Sequence, residues 1–83
     1  MALRVDWSDD ARADVRRLDR PTAMRVFRGL VRFAQTGVGD VKELQGDLNG
    51  RCRLRVGDYR LFFSQSGEVL RIHSVKHRSE AYR

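Results

Sequence analysis

The chain is poor in the residues that make most sites and scaffolds. It has one cysteine, one proline and two histidines in 83 residues, and no apolar run exceeds three residues. Each scarcity excludes something. Cys52 alone rules out an internal disulfide, and with His73 and His77 it offers no zinc-ligand spacing. No segment is long and apolar enough to span a bilayer, and the opening "MALRVDWSDD" lacks the apolar stretch of a signal peptide. The expectations are a cytoplasmic protein with no metal, no small-molecule cofactor and no membrane partner. Acidic residues are scarce in one half only. Residues 1–50 hold eight Asp/Glu against nine Lys/Arg, whereas residues 51–83 hold three against eight. The formal net charge of +6 is thus concentrated in the C-terminal half. A polyanion is the natural partner for such a surface, and a solvated basic surface is the plainer alternative. Fifteen of the 17 cations are arginine, the residue suited to bidentate phosphate contact.

A hydrophobic fraction of 41% suffices for a globular fold, and the length bounds it to a single domain over residues 1–83. "LRVDW" alternates and predicts a short strand. Ser8 is a suitable helix N-cap, and Asp9 and Asp10 complement the positive end of a helix dipole. Ala11, Val15 and Leu18 then set a first helix over about residues 9–18. Pro21 suits the first turn of a second helix, with Asp19 or Arg20 near its cap. Val26, Leu30 and Phe33 form its apolar stripe, widened by Phe27, Val31 and Ala34, and Gly37 ends it. "TGVGDVKELQGDLNG" follows as a connection, with a short extended or helical turn near residues 41–44. Three strands are expected at about 50–56, 59–65 and 68–75, separated by Gly57-Asp58 and Ser66-Gly67. The fold class is α+β: an N-terminal strand and helical hairpin packed on a small antiparallel sheet, in the order β-α-α-β-β-β.

Two-residue turns fix the pairing. With Gly57-Asp58 as the loop, Arg55 faces Arg60, Leu54 faces Leu61 and Arg53 faces Phe62. With Ser66-Gly67 as the next, Phe63 faces Leu70, Phe62 faces Arg71 and Arg60 faces His73. One sheet face then carries Cys52, Leu54, Val56, Tyr59, Leu61, Phe63, Leu70 and Ile72, and Cys52 is a packed core thiol. The other carries Arg51, Arg53, Arg55, Arg60, Phe62, Arg71 and His73. Opposed like charges cost some tenths of a kcal/mol, so a fold gains nothing from Arg55 facing Arg60. A bound phosphate reverses that balance, and Phe62 offers a base a stacking surface. The tail "VKHRSEAYR" adds Lys76, Arg78 and two groups fit for proton transfer, His77 and Tyr82.

The run "VKELQGDLNGRCRLRVGDYRLFF", the closing "VKHRSEAYR" and the opening "VDWSDDARADVRRL" together resemble the RelE branch of the RelE/ParE toxin superfamily. The resemblance spans essentially the whole chain. It implies the toxin of a type II toxin–antitoxin pair: a ribosome-dependent mRNA endoribonuclease that works without a metal. In such enzymes the RNA 2′-OH attacks the adjacent phosphate, and translation stops. The resemblance carries the family's basic strand positions onto Arg53 and Arg55, its arginine after the turn onto Arg60, and its C-terminal pair onto Arg78 and Tyr82. It departs at Arg53 and Arg55, where well-known members have lysine. Arginine does not shuttle protons, so Arg53, Arg55, Arg60 and Arg78 are expected to bind phosphate and stabilise charge. Arg51, Phe62, Arg71 and Lys76 extend the RNA surface. Tyr82 or His77 is left for proton transfer. The implied partners are a cognate antitoxin and the ribosomal decoding site with its mRNA. Two other functions share these residues: a ParE-type DNA gyrase inhibitor, and a non-catalytic RNA- or antitoxin-binding relic.

Overall fold

The computed structural model describes residues 3–44 and 50–81. Residues 45–49 of the expected connection, and Tyr82, lie outside the described residues. Strand β1 covers Arg4–Trp7, helix α1 Asp9–Arg16 and helix α2 Arg20–Thr36. Strands β2 (Asp40–Glu43), β3 (Cys52–Val56), β4 (Tyr59–Ser66) and β5 (Val69–His77) follow. The caps explain the helix limits. The Ser8 hydroxyl accepts the Ala11 N–H at 3.0 Å to start α1. This helix stops two residues before the expected end, where the Leu18 N–H closes onto the Val15 carbonyl at 3.0 Å. The Asp19 carboxylate caps α2 through Thr22, and Pro21 occupies its first turn. Gly37 ends α2 in the left-handed region, at φ 74°, with its N–H on the Phe33 carbonyl.

The sheet differs from the expected one in two respects. It has five strands in the order β1-β5-β4-β3-β2, and it is mixed, because β1 runs parallel to β5. The additional strand β2 pairs antiparallel with β3, from Asp40 opposite Arg55 to Glu43 opposite Cys52. Between β3 and β4 the register is the expected one, from Val56 opposite Tyr59 to Cys52 opposite Phe63. Between β4 and β5 it is displaced. The turn is Gly67-Glu68, so Ser66 faces Val69 and Phe63 faces Ile72. Two-residue hairpin loops of the II′ type place glycine first, and both Gly57 (φ 57°) and Gly67 (φ 59°) take that position. A bulge then falls between Phe62 and Phe63, because Phe62 faces Ser74 and leaves His73 as an extra residue of β5. The bulge moves Val75 onto the core face beside Leu70 and Ile72.

Both helices cover that face. Val26, Leu30 and Ala34 of α2 bury against Leu54, Leu61 and Phe63. Phe33 packs on Phe63 with ring centres 5.5 Å apart, whereas Val31 points to solvent. Gly29 lets α2 approach β3: a Cβ there would lie 2.7 Å from a Val56 methyl. Helix α1 takes over where β1 ends, and satisfies the open edge of β5. The Ser8 N–H donates to the Ile72 carbonyl and the Ser8 hydroxyl to that of His73. Asp14, only 5% exposed, accepts the Val75 N–H at 2.9 Å and the Lys76 ammonium at 3.2 Å, and pairs with Arg17. Removing that carboxylate leaves the buried Val75 N–H without its partner, whereas Lys76 and Arg17 are exposed enough to turn to water. Asp14→Ala is therefore expected to lower the unfolding free energy by about 1–3 kcal/mol, read from urea denaturation.

Candidate nucleic-acid interface

The face of the sheet away from the helices is crossed by three rows of side chains. Pairing places Asp40, Arg55, Arg60 and Lys76 in the first, from β2 to β5. The second holds Lys42, Arg53, Phe62 and Ser74. In the third, Ser64 faces Arg71, which faces Asp6 of β1. Arg51, directly before β3, carries its charge to the same region, where it bears on His73. Successive rows are two residues apart along the strands, about 7 Å.

Arg60 is the unusual member. It is 8% exposed, the only buried cation of the described residues. Its Nη1 donates to the carbonyls of Gly57 and Tyr59, each at 3.1 Å. Its Nε is buried without a hydrogen-bond partner. No carboxylate of the described residues pairs with it. Backbone carbonyls of the Gly57-Asp58 turn thus hold a charged guanidinium in place but do not neutralise it. Arg55, exposed, stands directly opposite. The start of the tail joins the same turn: the Arg78 N–H donates to the Asp58 carbonyl at 2.7 Å, and its guanidinium lies 3.8 Å from the Asp58 carboxylate. Arg53, Arg55, Arg60 and Phe62 therefore share one surface, with Arg78 at its rim.

Other expected site residues are placed differently. Lys76 belongs to the first row by pairing, but its ammonium reaches around the edge of β5 to Asp14. Arg71 is tied to Asp6 across the β1–β5 pair. His77 is set apart from the arginine rows. The bulge turns it to the helix-covered face, where its ring packs edge-on against Tyr59 at 5.3 Å. Its Nδ1 accepts the Ser79 N–H at 3.2 Å and meets the Ser79 hydroxyl at 2.9 Å. That removes it from the arginine rows. Lys42 is a further cation of this face: of the two forms expected near residues 41–44, extended or helical, the chain takes the extended one and pairs it with β3. Cys52 packs against the core, and its burial, with Glu43 beside it, pushes the thiol up. Among the described residues no three His, Cys, Asp or Glu side chains gather as a metal site.

His73 stays on the arginine side. Its Nε2 lies 2.8 Å from the Ser64 hydroxyl. Burial, reinforced by Arg51 and Arg71, holds its pKa below the ordinary 6.5. A histidine that resists protonation when folded contributes stability above the unfolded pKa and loses it as pH falls through the folded one. Stability is therefore expected to decline as the pH drops below about 6.5, and His73→Gln to flatten that decline in denaturation midpoints taken across pH.

Comparison with known proteins places this arrangement. No curated protein matches the sequence closely enough to be significant. Among solved structures, a chain of the RelBE2 toxin–antitoxin complex of Mycobacterium tuberculosis superposes with a TM-score of 0.85 at 24% identity, covering 96% of this chain and 95% of that one. A chain of the archaeal RelE–RelB complex of Pyrococcus horikoshii OT3 does so at 0.77 and 26% identity, covering 98% and 100%. A chain of the YoeB–YefM toxin–antitoxin complex of Staphylococcus aureus gives 0.74 and 20%, covering 93% and 98%. The family model for the ParE toxin of type II toxin–antitoxin systems matches residues 5–82. That match takes in both helices, all but the first residue of the sheet and the three rows of its open face, and by it the chain belongs to the ParE toxin family of type II toxin–antitoxin systems, within the RelE/ParE superfamily.

Proposed function

We propose that this toxin is a ribosome-dependent, metal-independent mRNA endoribonuclease acting in the cytoplasm. The observation that carries the proposal is Arg60, a buried guanidinium paired with no carboxylate of the described residues, its Nε buried without a hydrogen-bond partner, directly opposite Arg55. A buried, unneutralised guanidinium beside a second one suits phosphoryl chemistry, where negative charge develops on the phosphate oxygens. In the proposed reaction the 2′-OH of one nucleotide attacks the adjacent phosphorus. The new 2′-O–P bond forms as the P–O5′ bond breaks, giving a 2′,3′-cyclic phosphate and a free 5′-hydroxyl. One proton leaves the 2′-OH and one reaches the departing 5′-oxygen. Charge accumulates on the non-bridging oxygens between these events, and fixed donors in a partly dry site stabilise it best. Arg60 and Arg55 take that role, with Arg53 and Arg78 holding the phosphate and its neighbour. Phe62 lies one row away and supplies a stacking surface.

Proton transfer is assigned to Tyr82, with water as its partner. His77 is engaged by Tyr59 and Ser79 away from the arginines, so a structural task suits it better. The proposed partners are an mRNA in the decoding site and an antitoxin that neutralises the basic face. The toxin–antitoxin complexes among the similar structures support the second. No helix of the described residues is long and apolar enough to cross a membrane. The matching family model describes a ParE toxin, so the alternative is the ParE-type gyrase inhibitor that the sequence resemblance also implies.

Induction of the wild-type chain is expected to stop protein synthesis, with primer extension showing new ends in translated mRNA. Arg60→Ala and Tyr82→Phe are each expected to lower cutting by about 100-fold or more, the usual scale for one transition-state donor or one acid–base group. DNA damage under normal translation would assign the gyrase function instead. Binding to single-stranded RNA is expected to weaken steeply with salt, by roughly 10-fold or more between 50 and 200 mM, in a fluorescence titration.

A further inference from the structure

We propose that Ser64 and His73 form a second nucleotide subsite, which reads one base of the RNA whose scissile phosphate rests on the Arg55–Arg60 row. The inference rests on the RNA-cleaving function proposed above and adds to it a residue pair that selects sequence. The bulge leaves His73 out of strand pairing and aims its ring at the open face. There its Nε2 meets the Ser64 hydroxyl at 2.8 Å, while Nδ1 makes no hydrogen bond to the described residues. The core does not require this pair: Phe63 and Ile72, on either side, supply the packing. The charges of Arg51 and Arg71 bear on the ring, and Asp6 pairs with Arg71. A neutral imidazole beside a hydroxyl offers one donor and one acceptor, the complement of a base edge, and flanking guanidiniums suit the phosphate next to it.

The spacing matches a strand of RNA laid along β4. Arg60, Phe62 and Ser64 all point outward, so Ser64 lies about 14 Å from Arg60 along the strand, at the usual rise. Phe62 stands midway. A phosphate on Arg55 and Arg60, a base stacked on Phe62 and a further base edge at Ser64 and His73 fill the face in order. The contacts differ in kind. The arginine row binds any phosphate, whereas the Ser64–His73 pair distinguishes one base from another.

The test is fluorescence anisotropy of the full-length chain with seven-nucleotide oligo(A), oligo(C) and oligo(U). The wild type is expected to prefer one of the three by about fivefold or more, the usual worth of a specific base contact. Ser64→Ala and His73→Asn are each expected to reduce the preference to less than about twofold, as loss of one hydrogen bond implies. Arg60→Ala is expected to weaken all three alike. Midpoints of thermal unfolding check that each variant is folded. If the wild type shows no preference, or either folded variant keeps it, the subsite is overturned while RNA binding stands. If the wild type binds none of the three, the subsite is overturned, whereas the ribosome-dependent cutting function stands or falls with the primer extension described above.

Discussion

One extra residue in β5 decides which side chains share a face. Leu70, Ile72 and Val75 all belong to the core, yet a plain strand would send Val75 to the opposite side from the other two. The bulge at His73 resolves that conflict. It costs one ladder pairing, and the freed backbone on the open edge is taken up by Ser8 and Asp14 of α1. From that single shift follow three placements. His73 turns outward beside Ser64, Lys76 falls in line with Arg60, and His77 packs on Tyr59 beneath the helices.

The opposite end of the same sheet face is held by a turn. Gly57 at φ 57° allows a tight II′-like hairpin, and its carbonyl is one of two that fix the Arg60 guanidinium. A charge buried without a carboxylate lowers stability unless a ligand supplies the counter-charge. Arg55 directly opposite adds repulsion. The core on the other side of the sheet is apolar and tightly closed, so the domain tolerates this local cost. Fold and function thus lie on opposite faces of β3 and β4, joined by alternation along the strands.

Much of this was legible in the sequence, for local reasons. Ser8, Asp19, Pro21 and Gly37 are strong helix punctuation, and the structure uses each as expected. Gly57-Asp58 gave the β3–β4 register to the residue, so Arg53, Arg55, Arg60 and Phe62 could be grouped from alternation alone. The second hairpin is displaced from the expected Ser66-Gly67 loop because a II′-type turn needs glycine first and uses Gly67-Glu68. A displacement by one loop residue keeps every side chain on its face, so Leu70 and Ile72 were still placed correctly. The bulge has no local signal, since it answers a packing demand from elements distant in sequence, and β5 runs past the expected end at residue 75 to bring His77 opposite Tyr59. The parallel pairing of β1 with β5 spans 65 residues and has no local signal. Strand β2 is exposed throughout, which leaves little apolar pattern to detect.

Arg60 is where the account is most exposed to test. If its guanidinium is kept for a phosphate, an apolar side chain of similar length should satisfy the fold and fail the ligand. Arg60→Met is expected to match or exceed the wild type in urea denaturation, while its affinity for single-stranded RNA falls by about tenfold or more, as loss of a charge-assisted contact implies. A variant that unfolds, or one that binds RNA as the wild type does, would contradict the central role given to Arg60.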